Sequence, residues 1–161
     1  MLRRVKRELQ SPVDLASLWT VAGFNLRMLD MRMMRSTSDR LSAIGLTPAA
    51  ATVLLVLESN PGLPLGLLAD ALIVQHPNMT KLVKRLEAQK LIRRNAAPGD
   101  RRRISLALTP AGRRLALAAL DALNEHDAQA LSVLKPAERR QFLHLVGRLL
   151  TGFEAAERKA K

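Results

Sequence analysis

Apolar positions along the first third of the chain recur with helical spacing. Leu15, Leu18, Val21, Ala22, Leu26, Leu29 and Met33 form one broad stripe. Ser11, Pro12 and Asp14 supply an N-cap, a first-turn proline and an early acid, so a single helix is expected over about 12–42. Gly45 ends it. Leu46-Thr47-Pro48-Ala49 opens a second helix, with Thr47 as cap and Pro48 preset for the first turn. That helix is nearly all apolar through Leu57 and is expected to be buried, and Asn60-Pro61-Gly62 stops it. A short helix over about 64–72, a turn over 73–76 and a helix from Pro77 to about Gln89 follow. In the last of these Met79, Leu82, Val83 and Leu86 fall at i, i+3, i+4 and i+7. Asn78, Thr80, Lys81, Lys84 and Arg85 fall on the other side, giving one greasy stripe and one cationic stripe.

The period then changes from helix to strand. Ile104, Leu106 and Leu108 alternate with Ser105 and Ala107, as in a half-buried strand, and Leu91 to Asn95 can pair with it. The intervening 96–103 is turn-rich and very basic, so the two strands make a hairpin with a charged tip. Leu108-Thr109-Pro110-Ala111 repeats the earlier helix-start string and predicts a long helix from Pro110 to about Val133. Lys135-Pro136 opens a last helix to about Phe153, with Phe142, Leu143, Leu145, Val146, Leu149 and Leu150 as its apolar face. The charged tail from Glu154 to Lys161 is expected to fray. The fold class is therefore mainly α with a small β-hairpin. A loose basic arm (1–11) and a first helix (12–45) precede a helix-turn-helix with hairpin (46–109), and long helices (110–161) follow it.

Charge sharpens this picture. The chain carries 26 Lys and Arg against 14 Asp and Glu, a net +12. Nine of those bases and only two acids, Glu87 and Asp100, lie between Ile73 and Ser105. A patch so concentrated is a docking surface for a polyanion. Aromatic residues are scarce, with three Phe, one Trp and no Tyr, which disfavours base stacking on single strands and points to duplex DNA. The absence of Cys excludes disulfides, thiolate metal sites and thiol redox sensing. The N-terminus makes a poor signal peptide, and the longest uncharged stretch, Leu41 to Leu57, is broken by Gly45 and Pro48. A cytoplasmic protein without membrane contact is the expectation.

Two helices joined by a short turn and followed by a basic hairpin make a winged helix-turn-helix. A major groove about 12 Å wide admits one α-helix, whose polar side must reach base edges while its apolar side stays anchored. Asn78 suits an adenine edge, and Lys81, Lys84 and Arg85 suit guanine or phosphate. Arginines at the hairpin tip suit a narrow minor groove, where the negative potential is strongest.

From Leu46 to Gly112 the chain resembles the MarR family of transcriptional regulators. The matching pieces are Leu46-Thr47, Leu68-Ala69-Asp70-Ala71-Leu72, Thr80 through Glu87, Asp100-Arg101-Arg102, and Leu108-Thr109 with Gly112. Four positions depart from the pattern: Gln75 stands for a capping serine, His76 for a proline, Lys90 for a glycine and Arg103 for a small apolar residue. The resemblance implies that 12–45 and 110–161 are dimerisation helices flanking the DNA-binding domain. It implies a homodimer with two recognition helices in successive major grooves of a pseudopalindrome, its half-sites about one turn apart. It also implies a repressor released when a small, often aromatic or anionic, effector binds between the dimerisation and DNA-binding regions.

The candidate recognition residues are Gln75, His76, Asn78, Thr80, Lys81, Lys84 and Arg85, and the candidate wing residues are Arg94, Asp100, Arg101, Arg102 and Arg103. Arg102 is the favoured minor-groove residue, and Asp100 orients a neighbouring arginine. His76 either reads a base or closes the turn, and one of Arg93 and Arg94 can be structural. The methionine-rich stretch is interface core or, with Arg27, Met31 and Met34, an effector pocket. His126 and His144 lack the spacing of a metal motif, so neither a metal nor a cofactor is expected. No nucleophile elbow, metal triad or glycine-rich phosphate loop points to an enzyme. The competing function is a sequence-indifferent architectural DNA coater built on the same basic patch.

Overall fold

The computed structural model describes residues 13–97 and 100–159, with the side chains of 96, 97, 100–104, 154, 157 and 159 excepted. The expected arm at 1–11 and the Ser11-Pro12 cap lie outside the described residues. The described elements are α1 (Ala22–Ala43), α2 (Pro48–Ser59), β1 (Leu63–Pro64), α3 (Leu65–Ala71), α4 (His76–Ala88), β2 (Ile92–Ala97), β3 (Asp100–Leu108), α5 (Pro110–Ala130) and α6 (Pro136–Lys159). They form two compact units, one up to Leu123 and the other from Asn124.

The first helix begins ten residues later than its apolar stripe predicts. Val21 is extended, with φ −93° and ψ 117°, and separates α1 from a 3-10 turn over Leu18–Thr20. The break has a local cause. Asn25 Nδ2 donates to the carbonyls of Trp19 (3.0 Å) and Val21 (2.8 Å), and the Trp19 ring meets Phe24 edge-on at 5.1 Å. An amide that captures backbone carbonyls competes directly with the helical ladder. Most of the predicted stripe faces solvent in the single chain: Leu18, Val21, Leu26 and Leu29 are exposed, and only Thr37 and Leu41 of α1 are buried.

Thr47 caps α2, accepting from the backbone N–H of Ala50 at 3.3 Å. As its composition demands, Ala50, Ala51, Val53, Leu54 and Leu57 are buried. They join Leu41, Leu46, Leu68, Met79, Val83, Leu86, Ile92, Leu106, Ala116 and Ala119 in one core, which lies within the first unit.

Three helices end in the same cap. In a Schellman motif the second residue past the cap donates to the carbonyl five positions back, and the residue before it takes a left-handed conformation. Leu46 N donates to Leu41 O (2.9 Å), Val74 N to Ala69 O (2.9 Å) and Leu91 N to Leu86 O (3.0 Å). The left-handed residues are Gly45 (φ 77°), Ile73 (φ 53°) and Lys90 (φ 58°). Only the first is the residue type that takes this conformation without steric cost.

The hairpin pairs Ile92 with Leu108 and Arg94 with Leu106, antiparallel. It is longer than predicted. Pairing runs out to Ala97 with Asp100 across an irregularity after Ala96, so the expected 96–103 loop is largely strand. A third strand, which the sequence reading lacks, lies on the other side of β3: β1 pairs Leu63 with Leu106, with Gly62 N donating to Leu106 O. The wing is thus a three-stranded sheet ordered β1-β3-β2.

Helix α5 ends at Ala130, slightly short of the predicted Val133. In α6 the N3 glutamate reaches back to the cap residue, with Lys135 N donating to Glu138 Oε2 at 2.8 Å, one half of a capping box. The last helix continues to Lys159, past the predicted end at Phe153. The run Glu154-Ala155-Ala156-Glu157-Arg158-Lys159 contains only strong helix formers and no stop signal, which explains why the charged tail stays helical.

Candidate nucleic-acid interface

Helix α4 is anchored through Met79, Val83 and Leu86, all at most 1% exposed, with Leu82 half-buried. One turn of helix separates each anchor from the next, so residues at intermediate positions must point elsewhere. Asn78, Lys81, Lys84 and Arg85 are exposed. The cationic side predicted from the sequence therefore stands free of the subunit. Arg85 also borders the turn at Gly45 and Thr47.

The start of α4 is built differently from its end. Gln75 occupies the cap position, is exposed and makes no side-chain capping bond. Pro77 sits in the first turn, where its missing N–H costs nothing. Thr80 Oγ1 donates to His76 O at 2.8 Å, so its hydroxyl proton is engaged within the helix. His76 Nε2 lies 3.0 Å from Asp70 Oδ1 on α3. A carboxylate only accepts, so this contact requires the ring to carry a proton on Nε2. The contact joins the start of α4 to α3, with both partners well exposed.

The wing candidates divide. The backbone of Asp100, Arg101, Arg102 and Arg103 lies in β3, and their side chains lie outside the described residues. Arg93 is exposed. Arg94 is half-buried, and its Nε donates to Glu87 Oε2 of α4 at 3.0 Å. Sequence reasoning did not single out Glu87. Its signal is that it is one of only two acids among nine bases, a setting in which an acid needs a specific cationic partner.

Thr109, which the repeated helix-start string marks as a cap, does more than the string shows. Its Oγ1 donates to Lys90 O at 2.7 Å and accepts from Gly112 N at 3.0 Å. One hydroxyl thus closes the end of α4's cap and starts α5.

The candidate effector residues Arg27, Met31 and Met34 follow each other at i, i+4 and i+7 on α1 and are all exposed. An open groove of about 630 Å³ lies elsewhere, along α6 beside His144, Gly147, Arg148 and Gly152, and every residue lining it belongs to that one helix. His126 is buried, with Nδ1 3.5 Å from Asp127 Oδ1. Among the described residues no group of three His, Cys, Asp or Glu side chains is placed to hold a metal ion. Likewise, no single helix among them is long and apolar enough to cross a membrane.

Residues 44–103 match the model of the MarR family. A protein of Thauera aromatica, described as a transcriptional regulatory protein for the hcr operon, is 34% identical over 128 residues, covering 79% of this chain and 77% of the relative. The chain belongs to the MarR family. The repressor MdtR of Bacillus subtilis is 28% identical over 135 residues, covering 84% of this chain and 87% of its own. Among solved structures, the repressor CouR bound to a 23-mer DNA duplex superposes with a TM-score of 0.81. It is 27% identical, covering 87% of this chain and 99% of CouR. The MarR-family fold of helices with a small antiparallel wing sheet is the fold described above. MarR-family transcriptional regulators are in general non-enzymatic DNA-binding proteins.

Proposed function

We propose that this MarR-family chain is a homodimeric repressor that reads a pseudopalindromic operator and is released from it by a small aromatic or anionic ligand. The observation that carries the reading is the two-sided α4, with Met79, Val83 and Leu86 pinned in the core and Asn78, Lys81, Lys84 and Arg85 free. A helix held this way can enter a major groove without repacking the subunit. The wing arginines then fall to the neighbouring backbone or minor groove. The wide apolar faces left uncovered on α1 and α6 support a second copy as partner: Leu26, Leu29, Leu149, Leu150 and Phe153 are all exposed in the single chain. Arg27 with Met31 and Met34 supplies a cation beside adaptable thioethers, the chemistry that suits an aromatic carboxylate.

Selection of duplexes from a randomised library by the purified protein tests this directly. A sequence-reading dimer enriches one inverted repeat, and aromatic carboxylates then release it. Enrichment of no sequence, with tight binding to every duplex at low salt, supports the architectural alternative instead. Enrichment without release by any carboxylate removes the effector part alone.

A further inference from the structure

We propose that Glu87 and Arg94 form a strut that fixes the wing against the recognition helix, so that Arg94 serves DNA binding as a positioning residue and does not touch the duplex. The inference rests on the proposed docking of α4 and the wing on one duplex. Nε of Arg94 lies 3.0 Å from Oε2 of Glu87, and the two side chains are 30% and 38% exposed. Strand period places Arg94 on the same face of β2 as Ile92, which is 2% exposed. That is the buried face. Arg93, on the opposite face, is exposed. Glu87 lies one turn beyond Val83, on the flank of the anchored stripe and away from Lys81 and Arg85.

Two physical needs meet in this pair. An acid beside a polyanion repels it unless its charge is engaged, and a guanidinium engages a carboxylate with fixed geometry. The outer hairpin also needs an anchor, because the β2–β3 register is irregular after Ala96. Arg94 is paired two residues before that irregularity. An arginine drawn towards a phosphate weakens its hold on Glu87 and leaves that acid less compensated on the recognition helix, so contact with DNA competes with contact with Glu87.

The test uses the full chain and the duplex that the unmodified protein enriches. The variants are Glu87→Gln, Arg94→Gln, the two combined, and the exchanged pair Glu87→Arg with Arg94→Glu. Each single variant should bind roughly three- to ten-fold more weakly, with the double variant no worse than either, as expected for one coupled contact. The slope of log K against log salt should change by the same amount in Glu87→Gln and Arg94→Gln, because both act only through the wing's contacts and Arg94 adds none of its own. Hydroxyl-radical protection under the wing should fade in both singles, while protection under α4 persists and the exchanged pair recovers the wing. A merely structural pair would lower the unfolding midpoint and leave wing protection intact. The proposal is overturned if Arg94→Gln flattens the salt slope by about one phosphate while Glu87→Gln binds as tightly as the parent. It is equally overturned if neither variant changes affinity or protection. Should the parent enrich no duplex, the reading of sequence fails, and the same variants on random DNA still decide the strut.

Discussion

Gly112 lies directly on the carbonyl of Leu91. A Cβ built at 112 would overlap the carbonyl oxygen and come within 2.9 Å of its carbon. Leu91 O also accepts from Thr109 N at 3.0 Å, so the first turn of α5 is laid on the residue just before β2. Neighbours that are backbone cannot move aside as a flexible side chain does.

Gly112→Ala should therefore destabilise the chain by about 2 kcal/mol or more, the scale of overpacking in a close-packed core. The expected fall in Tm is roughly 4–8 °C for a chain of this size. A Tm within 1–2 °C of the parent, about the shift that half a kcal/mol produces, would show that α5 can slide off Leu91 at little cost.

The two Schellman caps that lack glycine predict the opposite sign. Ile73 is β-branched, left-handed and 92% exposed, so its side chain contributes little packing to offset the strain. Ile73→Gly should stabilise by about 1 kcal/mol and Lys90→Gly by about half that, read as a rise in the denaturant midpoint. An unchanged m-value in the same titration shows that stability rose with no change in the surface exposed on unfolding.

These caps also mark how far the sequence could be read. Thr47 and Gly45 announce their roles by residue type, and Met79, Val83 and Leu86 by spacing, so the helix-turn-helix was legible nearly to the residue. Lys90 could be recognised as sitting where a glycine is expected. Ile73 could not be, because nothing in an isoleucine signals a left-handed backbone. The strand at Leu63–Pro64 is two residues long and carries no alternation to detect. The break at Val21 arises from Asn25 reaching back four and six residues, a side-chain event that hydrophobic periodicity does not record. Of the interface, exposure of the cationic side of α4 followed from its anchors. The partners of Arg94 and His76 did not, since Glu87 and Asp70 lie on neighbouring elements whose distance only folding sets.

Single alanine substitutions should sort the exposed residues of α4 by what they touch. Lys81→Ala, Lys84→Ala and Arg85→Ala should weaken binding to all duplexes and reduce the salt slope by about 0.9 for each phosphate contact removed. Asn78→Ala should leave the slope alone and relax preference at one base pair, costing about 1–3 kcal/mol on the enriched site. Uniform behaviour across all four would argue against base reading by Asn78.

The apolar face of α6 should hold the dimer together. Phe142, Val146, Leu149 and Phe153 recur at i, i+4, i+7 and i+11, and Leu149 and Phe153 are more than half exposed in the single chain. Leu149→Asp should convert the dimer to a monomer in sedimentation runs and abolish tight binding to an inverted repeat, while single half-sites bind as weakly as before. A variant that remains dimeric would move the interface elsewhere.

Thr109 gives α4 and α5 a shared hinge pin. Its hydroxyl holds Lys90 O on one side and Gly112 N on the other, and one residue past Gly112, Arg113 Nε meets Glu58 of α2 at 3.0 Å. The start of α5 is thus fastened to the end of α4 and to α2 within the first unit. Loss of the Thr109 hydroxyl would therefore loosen two helix ends at once, since Lys90 O and Gly112 N would each lose a partner.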